Sequence, residues 1–168
     1  CYNPPMQKRK TVIFDLDHTL FDTTKLKREM FRIFRECGLK EEEIKASFES
    51  FITAHDGNYD MLAHCEELLR GKKLSSLEKI EVFLASSFEK HLISDAKKIL
   101  QILRERGYRL LLLTIGIERF QKTKIAQTGL APFFDDVRIV SKHKENILGK
   151  MNVPEKSYFV NDHKEETE

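Results

Sequence analysis

Asp15 and Asp17 stand two residues apart where a short apolar run, Thr11 to Asp15 (TVIFD), gives way to the loop Asp15-Leu16-Asp17-His18-Thr19-Leu20. Two carboxylates at the exit of a buried strand demand a reason, because burial disfavours the charged form and each charge disfavours the other. Three further polar sets follow apolar runs downstream. Thr114-Ile115-Gly116 offers a hydroxyl and a flexible backbone, Lys142, His143 and Lys144 offer cations, and Asn161-Asp162 offers a carboxylate with Glu165 and Glu166 beyond. If the sets share one rim, Asp15, Asp17 and Asp162 repel one another unless a cation sits among them, and hard oxygen ligands beside a phosphate favour Mg²⁺. A lysine there neutralises both a phosphoryl group and the carboxylate that attacks it. Thr114 Oγ and the backbone N–H groups near Ile115 and Gly116 are suited to phosphoryl oxygens.

The surrounding patterns predict elements that deliver these sets together. Thr11 to Asp15, Tyr108 to Thr114, Val137 to Val140 and Ser157 to Asn161 read as strands one to four. Between the later strands lie a helix capped by Ser94 and ended by Gly107, a helix from Phe120 to Gln127 stopped by Gly129, and a short helix from Lys144 to Met151. Alternating strand and helix predicts an α/β fold, a doubly wound parallel sheet of Rossmann-like type. Ligands of such sheets sit outside the carboxyl ends of the strands, at the switch in strand order. From Asp22 to about His91 the texture is helical throughout: Met30, Phe31, Ile33 and Phe34 before Gly38; Ile44, Phe48, Phe51 and Ile52 up to the break His55-Asp56-Gly57-Asn58; a helix from Tyr59 to Arg70 closed by Gly71; and a fourth, capped by Ser75 or Ser76, bearing Ile80, Phe83, Leu84 and Phe88. The expected division is an α/β core of residues 1–21 and 92–168 with a helical insertion at 22–91.

The order of these motifs resembles the haloacid dehalogenase superfamily, on the strength of VIFDLDHTLFD for the first motif, YFVNDHKEE for the last, and the threonine and lysine between them. The resemblance covers Thr11 to Glu166, and it implies that the insertion is a helical cap. It implies that Asp15 is a nucleophile that becomes an aspartyl-phosphate, and that Asp17 is the general acid and base. It implies that Mg²⁺ is held by an Asp15 oxygen, the Asp17 main-chain carbonyl and Asp162, and that the motif lysine is Lys144, with Lys142 as the alternative. Asp17 separates phosphatases from dehalogenases, since an alkoxide needs a proton to leave and a halide does not. Ile115 and Asn161 depart from the family pattern. Glu166 stands where the family often has an acid, and a fifth strand commonly follows.

The chain has 168 residues, 40% of them hydrophobic, enough for one α/β domain with a modest insertion. A net charge of +2 gives no concentrated basic face for nucleic acid. No apolar run approaches the roughly 18–20 residues of a membrane span. The opening CYNPPMQKRK lacks an apolar signal core, and Cys1, Cys37 and Cys65 form no CxxC pair, which favours a reducing, cytoplasmic setting. An opening Cys1, a later Met6 and a stop at Glu168 directly after a strand are the expected marks of a fragment lacking its last strand. His18, inside the first motif, would face the mouth of the site, touching the leaving group or a cap residue, or else serves only the loop; the Phe-rich stripes of the insertion read as core, with Phe51, Tyr59 or His55 as candidates to line an entrance. His55, His64 and Cys65 match no zinc spacing and read as structural. The function expected is an Mg²⁺-dependent phosphomonoester hydrolase for a small phosphorylated metabolite. The alternatives are a phosphotransferase or mutase of the same family, or a non-catalytic binding or regulatory module. A phospho-receiver is disfavoured by the position of the acidic pair on strand one and by the insertion. Oligomeric state is not legible.

Overall fold

The computed structural model describes residues 9–68, 70, 74–148, 154 and 157–162. The strands β1 (Thr11–Phe14), β2 (Arg109–Ile115), β3 (Asp136–Val140) and β4 (Ser157–Val160) form one sheet in the order β3-β2-β1-β4, with every pair parallel. TVIF is buried at every position, as is the LLLLT interior of β2. Central parallel strands are covered on both faces, so they read as unbroken apolar runs.

The two-residue period divides those runs between the faces. Val12, Phe14, Leu110 and Leu112 point into the main core, with Leu100 of α5 (Ala96–Glu105) and Phe120 and Ile125 of α6 (Glu118–Thr128). Ile13, Leu111 and Leu113 point the other way, towards Ile147 and Leu148 of α7 (Lys144–Leu148). Helices on both faces make the sheet doubly wound, as expected. The chain steps outward from β1 to β2 and β3, then returns to β4 on the far side of β1. The switch in strand order therefore lies at the end of β1, where Asp15 is.

Among the described residues, four α-helices enter between β1 and α5: α1 (Thr23–Glu36), α2 (Glu41–Ala54), α3 (Met61–Leu68) and α4 (Leu74–Ala85). The Asp22 side chain caps α1 by accepting from the Lys25 amide at 2.8 Å. Leu26, Met30, Ile33 and Phe34 form its buried stripe, and these join Ile44, Met61, Cys65, Ile80 and Phe83 in the same continuous core as Val12 and Phe14. The insertion thus packs onto the sheet's own core rather than around a separate one.

Local starts differ from the sequence expectations in three places. Asp95, at φ 62°, precedes α5 in place of Ser94, because the Ile93 amide is tied to the Leu20 carbonyl (2.9 Å) and the Ala96 amide to that of Ile93 (3.1 Å). Helix α4 begins at Leu74, so neither Ser75 nor Ser76 precedes it. Helix α3 begins after Asp60, whose Oδ1 accepts from the Leu62 (2.8 Å) and Ala63 (3.2 Å) amides. Gly71 and Met151 lie outside the described residues, as do Cys1 and Met6.

His64 of α3 holds the insertion together. It is fully buried, with Ser47 Oγ 2.8 Å from Nε2 and the Tyr59 hydroxyl 2.9 Å from Nδ1. The rings of Phe34, Phe48 and Phe51 surround it. Burial pushes its pKa down to about 4. The unfolded chain takes up a proton near pH ~6.5 that the folded chain refuses, so stability is full above that value and falls as pH drops. Between about pH 7 and about pH 4.5 this one group costs roughly 2–3 kcal/mol. Urea melts across that range are expected to show a steeper loss for the wild type than for His64→Gln; equal slopes would contradict the assignment.

Candidate active site

The loop after β1 is wound around one carbonyl. Leu16 O accepts from the amides of Leu20 and Phe21, both at 2.9 Å, and His18 turns the chain at φ 59° with its amide 2.7 Å from Phe21 O. Fully buried Phe21 anchors the far end against Phe88 and His91. This tight turn fixes Asp15 and Asp17 relative to each other and leaves the His18 side chain exposed.

Asp15 continues the ladder, its amide donating to Val160 O at 3.0 Å. Its carboxylate is almost wholly buried. One oxygen accepts from the Leu16 amide at 2.7 Å, and the other meets Lys144 Nζ at 2.8 Å. Lys144 opens α7, is 4% exposed, and lies 5.7 Å from the centre of the Phe159 ring. Burial raises the Asp15 pKa, and the Lys144 ammonium works in the opposite direction. Of the two lysines, Lys144 is the one that meets Asp15, whereas Lys142 Nζ pairs with Asp56 of the insertion at 3.1 Å, both exposed.

Asp17 has a different set of partners, which the sequence did not suggest. Lys124 Nζ lies 2.6 Å from Oδ1, Gln121 Nε2 donates to Oδ2 at 2.8 Å, and Thr23 Oγ donates to Oδ1. Burial opposes the Asp17 charge, but the Lys124 ammonium and the three donors outweigh it and hold the carboxyl below its usual range. Helix α6 is the reason these were missed. Its inward face carries Gln121, Lys124 and Thr128 at helical spacing, all buried, beside the apolar Phe120 and Ile125. A weakly amphipathic helix after the threonine motif, with polar residues at helical spacing among its apolar ones, was the available signal.

The Thr114-Ile115-Gly116 set is partly committed to the protein itself. Thr114 is fully buried and its Oγ accepts from Gln121 Nε2 at 3.1 Å, while Ile115 O accepts from the same amide at 2.5 Å. The Gly116 amide donates to Val140 O at 2.9 Å, so it continues the sheet instead of standing free for a phosphoryl oxygen, as the sequence reading expected. Gly116 is required for another reason. It has φ 148°, and a Cβ there would fall 2.6 Å from Gln121 Nε2.

Register brings the fourth set to the same rim. Phe14 pairs with Val160, so exposed Asp162 stands two residues past the strand that flanks Asp15. Glu165 and Glu166 lie outside the described residues. No three His, Cys, Asp or Glu side chains gather as a metal cage among the described residues, since Asp17 turns towards Lys124. Asp15, the Asp17 main-chain carbonyl and Asp162 are nonetheless an all-oxygen donor set at one sheet end, the type that suits Mg²⁺. The insertion meets this rim through Lys142–Asp56 and through Arg119, whose Nε lies 3.3 Å from the buried carboxylate of Asp60.

Comparison with known proteins bears on this geometry. The family model of haloacid dehalogenase-like hydrolases matches residues 9–160. Pyrimidine 5'-nucleotidase PynA of Streptococcus pneumoniae is 29% identical over 146 residues, covering 77% of this chain and 61% of that protein. Glyceraldehyde 3-phosphate phosphatase of Methanopyrus kandleri is 27% identical over 144 residues, with the same 77% and 61% coverage. The chain thus spans about 61% of the length of these curated relatives. Among solved structures, a haloacid dehalogenase-like hydrolase from Burkholderia xenovorans LB400 superposes with a TM-score of 0.70 at 24% identity, covering 92% of this chain and 72% of that one. The HAD-hydrolase YfnB from Bacillus subtilis, described as bound to magnesium, gives a TM-score of 0.55 at 17% identity, covering 91% and 79%. These likenesses support the fold. With a family match across nearly all of its described residues, this chain belongs to the haloacid dehalogenase-like hydrolases.

Proposed function

We propose that the chain is a phosphatase of small phosphorylated metabolites, with Asp15 as nucleophile and Asp17 as proton carrier. The observation that carries this reading is the buried Asp15–Lys144 pair at the switch point of the sheet. A buried carboxylate drifts towards its neutral form, which is no nucleophile; the ammonium 2.8 Å away keeps electron density available on it. The same ammonium offsets repulsion as the carboxylate approaches an anionic ester.

In the first step an Asp15 oxygen forms a bond to phosphorus while the ester P–O bond breaks, and the departing oxygen takes a proton from Asp17. In the second step water attacks phosphorus and gives its proton to Asp17. Inorganic phosphate leaves and the Asp15 carboxylate is restored. Two half-reactions with one shared proton carrier replace one difficult displacement. Asp15, the Asp17 carbonyl and Asp162 would hold Mg²⁺, which when bound cancels charge between carboxylate and phosphoryl oxygens. Thr114 and the Ile115-Gly116 turn would border the phosphoryl group, with His18 at the mouth. Residues 22–91 would act as a cap that limits access to small esters. The names of the two curated relatives, a nucleotidase and a triose phosphate phosphatase, support a small phosphorylated substrate. The cysteine usage read from the sequence favours a cytoplasmic setting for this activity.

The test is steady-state hydrolysis of an aryl phosphate, whose phenolate leaves with little protonation, with Mg²⁺ and after chelation. Turnover that requires the metal and disappears in Asp15→Asn is expected; turnover surviving in Asp15→Asn removes the nucleophile assignment. A second comparison separates the lysines. Lys144→Met is expected to lower kcat by roughly 10²–10³-fold, the usual loss of a preorganised charge at a reacting centre, while Lys142→Met stays within about threefold, as befits an exposed pair. Equal losses would contradict the assignment of Lys144.

A further inference from the structure

We infer that Lys124 is a positioning residue for Asp17: it fixes the carboxylate that carries the proton and acts on turnover only through it. The inference rests on the phosphatase reading above and extends it to a residue outside the four motifs.

Lys124 is 2% exposed in the middle of α6, a costly place for an ammonium unless it is paired. Its Nζ meets Asp17 Oδ1 at 2.6 Å and lies 4.9 Å from the centre of the Phe120 ring and 5.4 Å from that of Phe21. Those rings favour a cation but give it no hydrogen bond. For core filling alone an apolar side chain of similar length would serve as well, since replacing a buried ion pair with apolar groups is often neutral or stabilising. A lysine here has a use only if Asp17 must remain an aspartate, held at a set place.

The remaining contacts describe how that place is set. Gln121, one turn earlier on α6, takes the other Asp17 oxygen and also bonds Thr114 Oγ and Ile115 O, so the position of Asp17 is referred to the end of β2. Thr23, the first residue of α1, donates to the same oxygen as Lys124 and refers it to the insertion. Donors on two helices therefore leave the carboxylate little freedom to turn. A proton carrier displaced by about 1 Å can lose on the order of 10²-fold in rate. Lys124 supplies the one charged donor among the three, a buried ammonium 2.6 Å from the half-buried Asp17 carboxylate.

The test is a double-mutant cycle of wild type, Lys124→Met, Asp17→Asn and the double variant, read as kcat and KM on an aryl and an alkyl phosphate with Mg²⁺, with thermal melts reporting folding. The expected result is a fall in kcat of roughly 10–100-fold for Lys124→Met with KM little changed. The loss should be larger on the alkyl ester, whose leaving oxygen depends more on a proton. The double variant should be no slower than Asp17→Asn alone, because Lys124 has nothing left to position. Lys124→Arg, which keeps the charge but moves it, should fall between wild type and Lys124→Met. It also decides the matter if Lys124→Met does not fold, since wild-type kcat in Lys124→Arg would then overturn the inference. Losses that multiply in the double variant, or equal losses on both esters, overturn it while leaving the phosphatase reading intact. A wild-type protein that hydrolyses neither ester overturns that reading, and the inference falls with it.

Discussion

A strand buried on both faces that ends in two carboxylates has an electrostatic debt at its exit, and the arrangement of this protein follows from how that debt is met. Asp15 and Asp17 are close in sequence, yet each has its own buried lysine, Lys144 from α7 on one side and Lys124 from α6 on the other. The two lysines come from the helices that cover opposite faces of the sheet. The doubly wound fold is therefore what allows adjacent carboxylates to be addressed separately. A one-sided sheet would have had to bring both cations in from one layer.

Separate partners give the acids separate characters. Burial dominates at Asp15 and raises its pKa despite Lys144, whereas at Asp17 the ammonium and its accompanying donors prevail and lower it. Two like groups pushed apart by their surroundings are a recurrent sign of divided labour in a site. These directions run opposite to what the proposed roles need, since the attacking carboxylate must be ionised and the proton carrier must begin protonated, so the roles rest on the placement of Asp15 against Lys144 and not on these shifts. The insertion is tied to the same rim by Arg119–Asp60 and Lys142–Asp56, and Thr23 brings its first helix into contact with Asp17. Access to the site and the placing of Asp17 thus share a boundary.

What could be read from the chain alone was whatever depends on local pattern. The apolar runs of β1 and β2, the polar sets at the strand ends, and the helical texture of 22–91 all fix their own structure from neighbouring residues, and the fold followed from their order. Partnership across the sheet was not legible, because it depends on which face a helix presents and how deep its polar residues lie. Lys142 and Lys144 differ by two positions, and only the start of α7 sends one to Asp15 and the other to Asp56. Lys124 and Gln121 look like ordinary surface residues in a sequence with 29 Lys and Arg; burial alone marks them. The Gly116 amide illustrates the opposite error: glycine suggested an open backbone, but the extended register of β2 with β3 used its N–H.

The account stands on Asp15 taking the phosphoryl group while Asp17 does not. The most direct measurement is acid quenching during turnover of an aryl phosphate, followed by peptide mapping of the covalently bound phosphoryl group by mass spectrometry. The account predicts one acyl phosphate on the peptide containing Asp15, located to that residue and lost in Asp15→Asn. A phosphoryl group on Asp17 or on any other side chain, or turnover with no covalent intermediate at any quench time, would contradict it.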